Sequence, residues 1–429
     1  MRIVQVIENF FPDSLGGTET YVLNVGLLMQ SRGHTVYVVA PTHDISQIYE
    51  YKGLTVIRYK IKEKVTANEF KQLEPPSSLN EFVKILETIN PDIVHFNTLN
   101  RIINIYNVEC AKKLGARVFV TPHISSIFCP LSSLINHAGR RCDGMIDSHR
   151  CNYCFMRSKK HSMLLSRCVS ILSSLVPYMP KAILSLYPPA SMLKYNRRKE
   201  FKQLAEYADG IVAISDWIEK TLKNNGLQNV YLIRQGISSV FQKQSTRRYT
   251  GKDSLRLIYV GRVYPIKGLE VLYDALRQVE ISKIQITFAC VCGKDTYAQS
   301  IKDFIQSLPN ATWLENVGQE QLQELLTEND FLILPSKSEM SPLVILEAFA
   351  CGLPVIGTNI PAIADNVVSG LNGFLFEIND AFSLARIISD LQASPAKAQK
   401  VKLGVQTPRT FQAVSEELLH LYNRVLTNE

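Results

Sequence analysis

Short runs that are apolar at nearly every position recur along the chain, separated by longer stretches in which apolar residues return every three or four positions. "RIVQVI" (2–7), "TVYVVA" (35–40), "DIVHFN" (92–97) and "RVFVTPH" (117–123) come early. "LRLIYVGR" (255–262), "IQITFACVC" (284–292), "FLILPS" (331–336) and "LPVIGT" (353–358) come late. Strands apolar on both faces, alternating with helix-length segments, predict parallel sheets covered by helices. The pattern occurs twice, so two α/β domains are expected. The first series ends with "ADGIVAIS" (208–215), and "VYLIRQGISSVFQKQSTRRYTGKD" (230–253) then loses periodicity and turns polar. A linker is therefore expected near 235–250, between a first domain over 1–235 and a second over 250–410. The last amphipathic stretch, "FQAVSEELLHLYNRVL" (411–426), follows a polar break and is read as returning to the first domain.

Composition narrows this picture only a little. A chain of 429 residues, 46% hydrophobic and 20% charged, can bury ample cores and is long for one domain. No run of 18 or more apolar residues occurs, which argues against a spanning helix. The opening "MRIVQVIENFF" has too short an apolar run before Glu8 for a signal peptide and reads as a buried strand. Nine cysteines, an odd number without a secretory signal, suit a reducing cytoplasm. The net charge of +8 and pI near 8.9 suit anionic small molecules, an anionic membrane surface or nucleic acid alike, so charge alone does not choose.

The candidate chemistry gathers around "SEMSPLVILEAFACGLPVIGT" (338–358), where Glu339 and Glu347 interrupt an apolar run. Ser341 followed by Pro342 predicts an N-cap and first helical residue, and Gly352 with Pro354 predicts the stop. The helix is thus expected from Pro342 to Cys351. Glu339 then precedes it and Glu347 lies about one and a half turns inside it, both at the carboxyl end of a parallel sheet. The free N–H groups of Leu343 and Val344, at the positive end of the helix dipole, predict an anion site there. "YVGRVYPIKGLEVLYDAL" (259–276) adds Arg262 and Lys267 in a strand-to-helix loop with Gly261 and Gly268. Two cations beside close-approaching glycine backbone suit a diphosphate, although the loop lacks the spacing of a Walker A motif. Taken singly, each motif is equally compatible with solvated surface charge.

Together, the Glu-x7-Glu segment with "EAFACGLPVIGT", the "GRVYPIKG" loop, "ADGIVAIS" and the N-terminal "FPDSLGGTET" resemble the retaining glycosyltransferase family 4, across nearly the whole chain. The resemblance implies an α/β chain of two Rossmann-like domains facing across a cleft, the GT-B fold. It also implies transfer of a sugar from a nucleotide-sugar donor to an acceptor hydroxyl, with no cofactor required for catalysis. By that resemblance Glu347 holds the nucleotide ribose, Glu339 lies by the donor sugar, and Arg262 and Lys267 bind the diphosphate. Gly16 and Gly17 correspond to the loop that approaches the phosphates and sugar, and His123 to the family's active-site histidine. Three positions depart from the family's usual residues: Met340 and Ser238 stand where Gly and Asp are usual, and Asp365 where Glu is common. A nucleotide-sugar epimerase of the same fold and a non-catalytic nucleotide-sugar-binding protein remain as alternatives. The implied partners are a nucleotide-sugar donor and a sugar or lipid-linked acceptor, with no nucleic acid and a role in cell-surface polysaccharide or glycolipid assembly.

Residues 129–205 read as an insertion with two further features. Cys129, Cys142, Cys151 and Cys154 are spaced C-x12-C-x8-C-x2-C, a set that could hold a structural zinc or an iron–sulfur cluster or remain four reduced thiols. Over 155–205, ten Lys and Arg surround Met163, Leu164, Leu165, Val169, Ile171, Leu172, Leu175 and Val176, with Glu200 as the one acid. Pro177, Pro180 and Lys181 rule out a comfortable spanning helix. Short amphipathic helices with basic flanks lie in a membrane interface, so peripheral association with an anionic inner membrane face is expected; packing of the apolar face onto the first domain is the alternative.

Overall fold

The computed structural model describes residues 1–429 except 63–65, 71–73, 130, 173–200 and 428–429. It divides into two compact units: residues 1–234 with 412–429, and residues 235–411.

Unit 1 is built on strands β1 (Arg2–Val6), β2 (Thr35–Thr42), β3 (Gln47–Tyr51), β4 (Leu54–Lys60), β5 (Ile93–Phe96), β6 (Arg117–Val120), β7 (Gly210–Ala213) and β8 (Val230–Leu232). They lie in the order β3-β4-β2-β1-β5-β6-β7-β8, parallel throughout except that β3 runs antiparallel to β4 at the edge. Val4 pairs with Tyr37 on one side and Val94 on the other, so β1 is central. Ile3, Val4, Val6, Val94, Val118 and Phe119 are fully buried, as strands covered by helices on both faces require. Each such side chain contributes roughly 1.5–3 kcal/mol by leaving water.

Unit 2 holds β9 (Leu255–Arg262), β10 (Ile284–Val291), β11 (Ala311–Glu315), β12 (Phe331–Leu334), β13 (Val355–Thr358) and β14 (Gly373–Phe376). All six are parallel, in the order β11-β10-β9-β12-β13-β14. This is a doubly wound sheet whose strand order reverses between β9 and β12; in unit 1 the corresponding reversal falls between β1 and β5. Ligands of such sheets bind outside the carboxyl ends at that reversal. Both units are thus Rossmann-like, as the resemblance implied.

The structure departs from the sequence reading in several places. The first series of strands does not end at 215: Val230–Leu232 forms β8, hydrogen-bonded to β7, although only three residues long. Residues 235–250 are not a free linker but part of unit 2. Gln244 donates to the Ala350 carbonyl at 2.5 Å, the Ser245 N–H to Cys351 O at 2.9 Å, and Arg247 pairs with Asp253 and Asp330. Their polarity serves bonds to the unit's body. The outgoing segment also bonds to the returning one, with Ile237 donating to Arg409 O and Phe411 to Ile237 O.

The last helix, Phe411–Thr427, begins at the edge of unit 2, and its residues from Gln412 onward pack in unit 1. There Val414, Leu418 and Tyr422 are fully buried. Among the described residues no helix is long and apolar enough to cross a membrane. Leu175, Val176, Pro177, Pro180, Lys181, Lys194, Arg197, Arg198, Lys199 and Glu200, which the sequence reading assigned to a membrane-facing segment, lie outside the described residues.

Candidate active site

In unit 2, β9 ends at Gly261 and Arg262, and the chain turns through a short 3-10 helix, Pro265–Lys267, before the helix Leu269–Leu276. On the other side of the reversal, β12 is followed by the loop 335–342 and the helix Leu343–Ala350. The two loops are fastened together. Lys337 donates its N–H to Ile266 O at 2.8 Å, and Gly268, at φ 68°, comes so close that a Cβ there would sit 2.1 Å from Pro335 O. Only glycine meets both demands. Lys267 Nζ donates to Glu339 Oε1 at 2.6 Å, with both side chains mostly shielded from solvent. The sequence-predicted Lys267 and Glu339 are therefore in direct contact across the reversal point.

The helix after Glu339 starts one residue later than predicted. Pro342 is the N-cap, with ψ 111°, and no side chain caps the helix, so Ser341 does not take that role. Its first amides are those of Leu343 and Val344, which have no carbonyl a turn behind them. Gly352, at φ 69°, closes the far end: Gly352 donates to Phe349 O and Leu353 to Ala348 O, the two bonds of a Schellman motif. Glu347 lies within the helix, partly buried, and desolvation raises its carboxyl to about 7. Gly261 is constrained as well, since a Cβ there would stand 2.9 Å from the Tyr259 hydroxyl, which donates to Arg262 O.

In unit 1, Gly16 is the extended N-cap of the helix Gly17–Ser31, and its carbonyl accepts from the Thr20 N–H. His123 follows β6; it is buried, its ring lies 4.6 Å from that of Tyr21, and burial lowers its pKa to about 3. It is neutral at ordinary pH. Its Nε2 has no hydrogen-bond partner among the described residues. Behind it is a polar network that sequence reading did not find. His95 bonds Thr121 Oγ1 through Nε2 at 2.6 Å and the Tyr422 hydroxyl through Nδ1, and the Tyr422 hydroxyl also meets the Gln5 side chain. Thr121 O in turn accepts the His123 N–H at 3.0 Å.

Comparison with known proteins matches residues 15–149 to the model of Glycosyltransferase Family 4 and residues 241–404 to that of Glycosyl transferases group 1. The chain belongs to glycosyltransferase family 4. An uncharacterized glycosyltransferase of Methanocaldococcus jannaschii is 26% identical over 215 residues, 49% of this chain and 58% of that protein. A glycosyltransferase named for colanic acid biosynthesis in Salmonella typhimurium is 26% identical over 202 residues, 44% of this chain and 49% of that protein. The chain thus spans about half the length of the curated relatives it matches. Among solved structures, Anabaena HepE in complex with UDP and glucose has a TM-score of 0.63 at 15% identity, covering 99% of both chains, a likeness of fold.

This family 4 chain carries a second ion pair that the sequence did not reveal. Glu270, in the first turn of the helix after Gly268, accepts from Lys337 Nζ and from the Tyr297 hydroxyl at 2.9 Å. Its partners are 67 and 27 residues away, beyond the reach of any local pattern. In unit 1, Glu8 and Glu19 lie near one another beside the Gly16 turn; burial raises the Glu8 carboxyl, against a hydrogen bond from Asn100.

Cys129, Cys142, Cys151 and Cys154, left open between a structural metal and four reduced thiols, show no metal-holding arrangement among the described residues as placed. Among the described residues no group of three or more His, Cys, Asp or Glu side chains is placed to hold a metal ion, and the nine cysteines form no disulfide. The helix Ser148–Ser158 turns Cys151 Sγ toward Met145 O, while Cys154 Sγ accepts the His137 N–H at 3.3 Å and Cys142 Sγ faces Asp143. Cys129 still lies near enough to add to the upward push that burial gives the Cys142 and Cys154 thiols. The residues as placed do not fit a metal, and no chemistry is assigned to one.

The contact between Gly268 and Pro335 gives a direct expectation. Gly268→Ala adds a left-handed penalty of about 1–2 kcal/mol and pushes the two loops apart. Its melting temperature is expected several degrees below that of the unaltered chain, with weaker nucleotide binding; an unchanged melting curve would contradict the close approach.

Proposed function

We propose that this chain moves a sugar from a nucleotide-sugar donor to an acceptor hydroxyl with retention of anomeric configuration, in cell-surface polysaccharide or glycolipid assembly on the cytoplasmic side of a membrane. The observation that carries this reading is the convergence at the β9/β12 reversal of Lys267, Glu339, the strand end at Arg262 and the helix start at Leu343. Anabaena HepE, with UDP and glucose bound, supports the donor class, and the Salmonella relative named for colanic acid biosynthesis supports the acceptor setting.

In this reading the bond between the anomeric carbon and the β-phosphate oxygen breaks, and a new bond forms to the acceptor oxygen on the same face of the sugar. The acceptor's proton passes to the departing phosphate oxygen. Arg262, Lys267 and the amides of Leu343 and Val344 stabilise the charge that collects on the diphosphate, each preorganised donor lowering the barrier by about 3 kcal/mol. Glu347 accepts from the ribose hydroxyls, and Gly16 and Gly17 let backbone approach the phosphates and the sugar. His123, neutral and with an unbonded ring nitrogen, is available to hydrogen-bond a sugar hydroxyl.

Thermal shift with UDP-, GDP- and ADP-sugars selects the donor, since ligand at 100 times its dissociation constant adds about 2.7 kcal/mol of stability. With that donor, nucleoside diphosphate is expected to appear only when an acceptor is supplied. A changed sugar without diphosphate release would mark an epimerase, and binding with neither would mark a non-catalytic protein.

A further inference from the structure

The helix Met163–Leu172 is packed the wrong way round for a core element. It lies against the helix Ser148–Ser158 with its small polar residues turned inward: Ser166 and Ser170 are buried, Ser170 donating to His149 O of that helix at 2.7 Å and Ser166 back to Ser162 O, one turn earlier in its own chain, at 2.8 Å. Its large apolar residues face outward, with Leu164 76%, Ile171 62%, Met163 50% and Leu165 47% exposed. Scattered exposed leucines need no explanation, but a helix that buries its serines and displays its leucines does.

The sequence on and around this face is rich in basic residues. Lys159 and Lys160 occupy the turn leading into the helix and Arg167 lies on it; all three are exposed and none has an ion-pair partner among the described residues. From 148 to 199 the sequence holds ten Lys and Arg and no Asp or Glu. Cations at one end and on the flank of an apolar face match an interfacial helix, whose apolar side chains enter the acyl boundary while its cations meet anionic headgroups. Ten residues make about 15 Å of helix, half of what a span needs, so the segment can lie on a bilayer but cannot cross it.

We infer that the helix Met163–Leu172 and the basic turn before it form a membrane-docking surface for an anionic bilayer. The inference rests on the proposed function only for its purpose, which is to bring a lipid-linked acceptor to the enzyme; the docking itself requires no catalysis.

The test uses the full chain without donor, sedimented with vesicles of phosphatidylcholine alone or of phosphatidylcholine with phosphatidylserine. Binding is expected to the mixed vesicles only and to be lost in high salt. Lys159→Gln, Lys160→Gln and Arg167→Gln combined should weaken it about 100-fold, at roughly fivefold per cation. Leu164→Glu with Leu165→Glu should abolish it, and because these side chains are exposed, melting curves should not change. Equal affinity for both vesicle types, binding to neither, or full binding by the Leu164→Glu, Leu165→Glu chain would overturn the inference. So would a dimer in solution that dissociates with that variant and ignores vesicles, which would identify the face as a contact between copies. Vesicle binding without sugar transfer would instead remove the transferase reading alone.

Discussion

Lys267→Ala is expected to lower turnover about 100- to 1,000-fold while the chain keeps its fold, the loss typical of removing one preorganised charge donor. The lysine ends the short turn Pro265–Lys267, is held by the Gly268 crossing, and reaches Glu339 at 2.6 Å. In the proposed reading its alanine variant loses a cation facing the departing diphosphate and leaves the Glu339 carboxylate without its lysine beside the same phosphates. Both effects act against the transition state. Glu339→Gln in the Lys267→Ala background should therefore recover part of the donor affinity, because it removes the repulsion without restoring the cation. Steady-state kinetics with the selected donor, beside circular dichroism, decides the matter; full turnover in a folded Lys267→Ala chain would sink the donor-site assignment.

Glu347→Ala is expected to weaken donor binding by two to four orders of magnitude, the worth of two hydrogen bonds to a charged acceptor at about 1.5–3 kcal/mol each. The same residue sets a pH dependence. Burial raises its carboxyl from 4.5 to about 7, and only the carboxylate offers acceptors to both ribose hydroxyls. Donor affinity should rise as pH increases through about 7, with a proton released on binding below that value. Glu347→Gln should remove this component, leaving only the titration of the phosphates. The stability sign runs the other way. A carboxyl whose folded pKa lies above its unfolded value favours folding less as pH rises, so Glu347→Gln should gain in melting temperature over the parent between about pH 4.5 and 7 and hold that gain above. A flat difference across that window, or an affinity that falls with pH, would exclude the assigned role.

How much of this was legible in the sequence depends on how local each cause is. Strands such as "LRLIYVGR" announce themselves because parallel strands between helix layers are apolar on both faces. The edge strand Gln47–Tyr51 does not, since most of its side chains meet solvent and its register comes from pairing with β4. The convergence of Lys267 and Glu339 could be anticipated because each follows a strand, and strand ends share one side of a parallel sheet. The pairing of Glu270 with Lys337 and of His95 with Tyr422 could not, because nothing near either residue in the chain points to the other. The helix Met163–Leu172 misleads in an instructive way. Its apolar spacing suits a core helix as well as an interfacial one, and only the burial of Ser166 and Ser170 and the bond from Ser170 to His149 O show which face is turned inward.

The placement of Tyr422 carries a consequence for synthesis. Unit 2 is continuous in the chain, from 235 to 411, whereas unit 1 takes its last helix from residues made after unit 2 is complete. A ribosome therefore finishes the second unit first. Until the helix arrives, His95 and Phe119 have no Tyr422 against them, and the side of the sheet beneath His123 is open to water and to other nascent chains. The chain's first-made unit is the last to close, which makes residues 412–427 the point at which a newly made chain either completes that unit or becomes a client for chaperones.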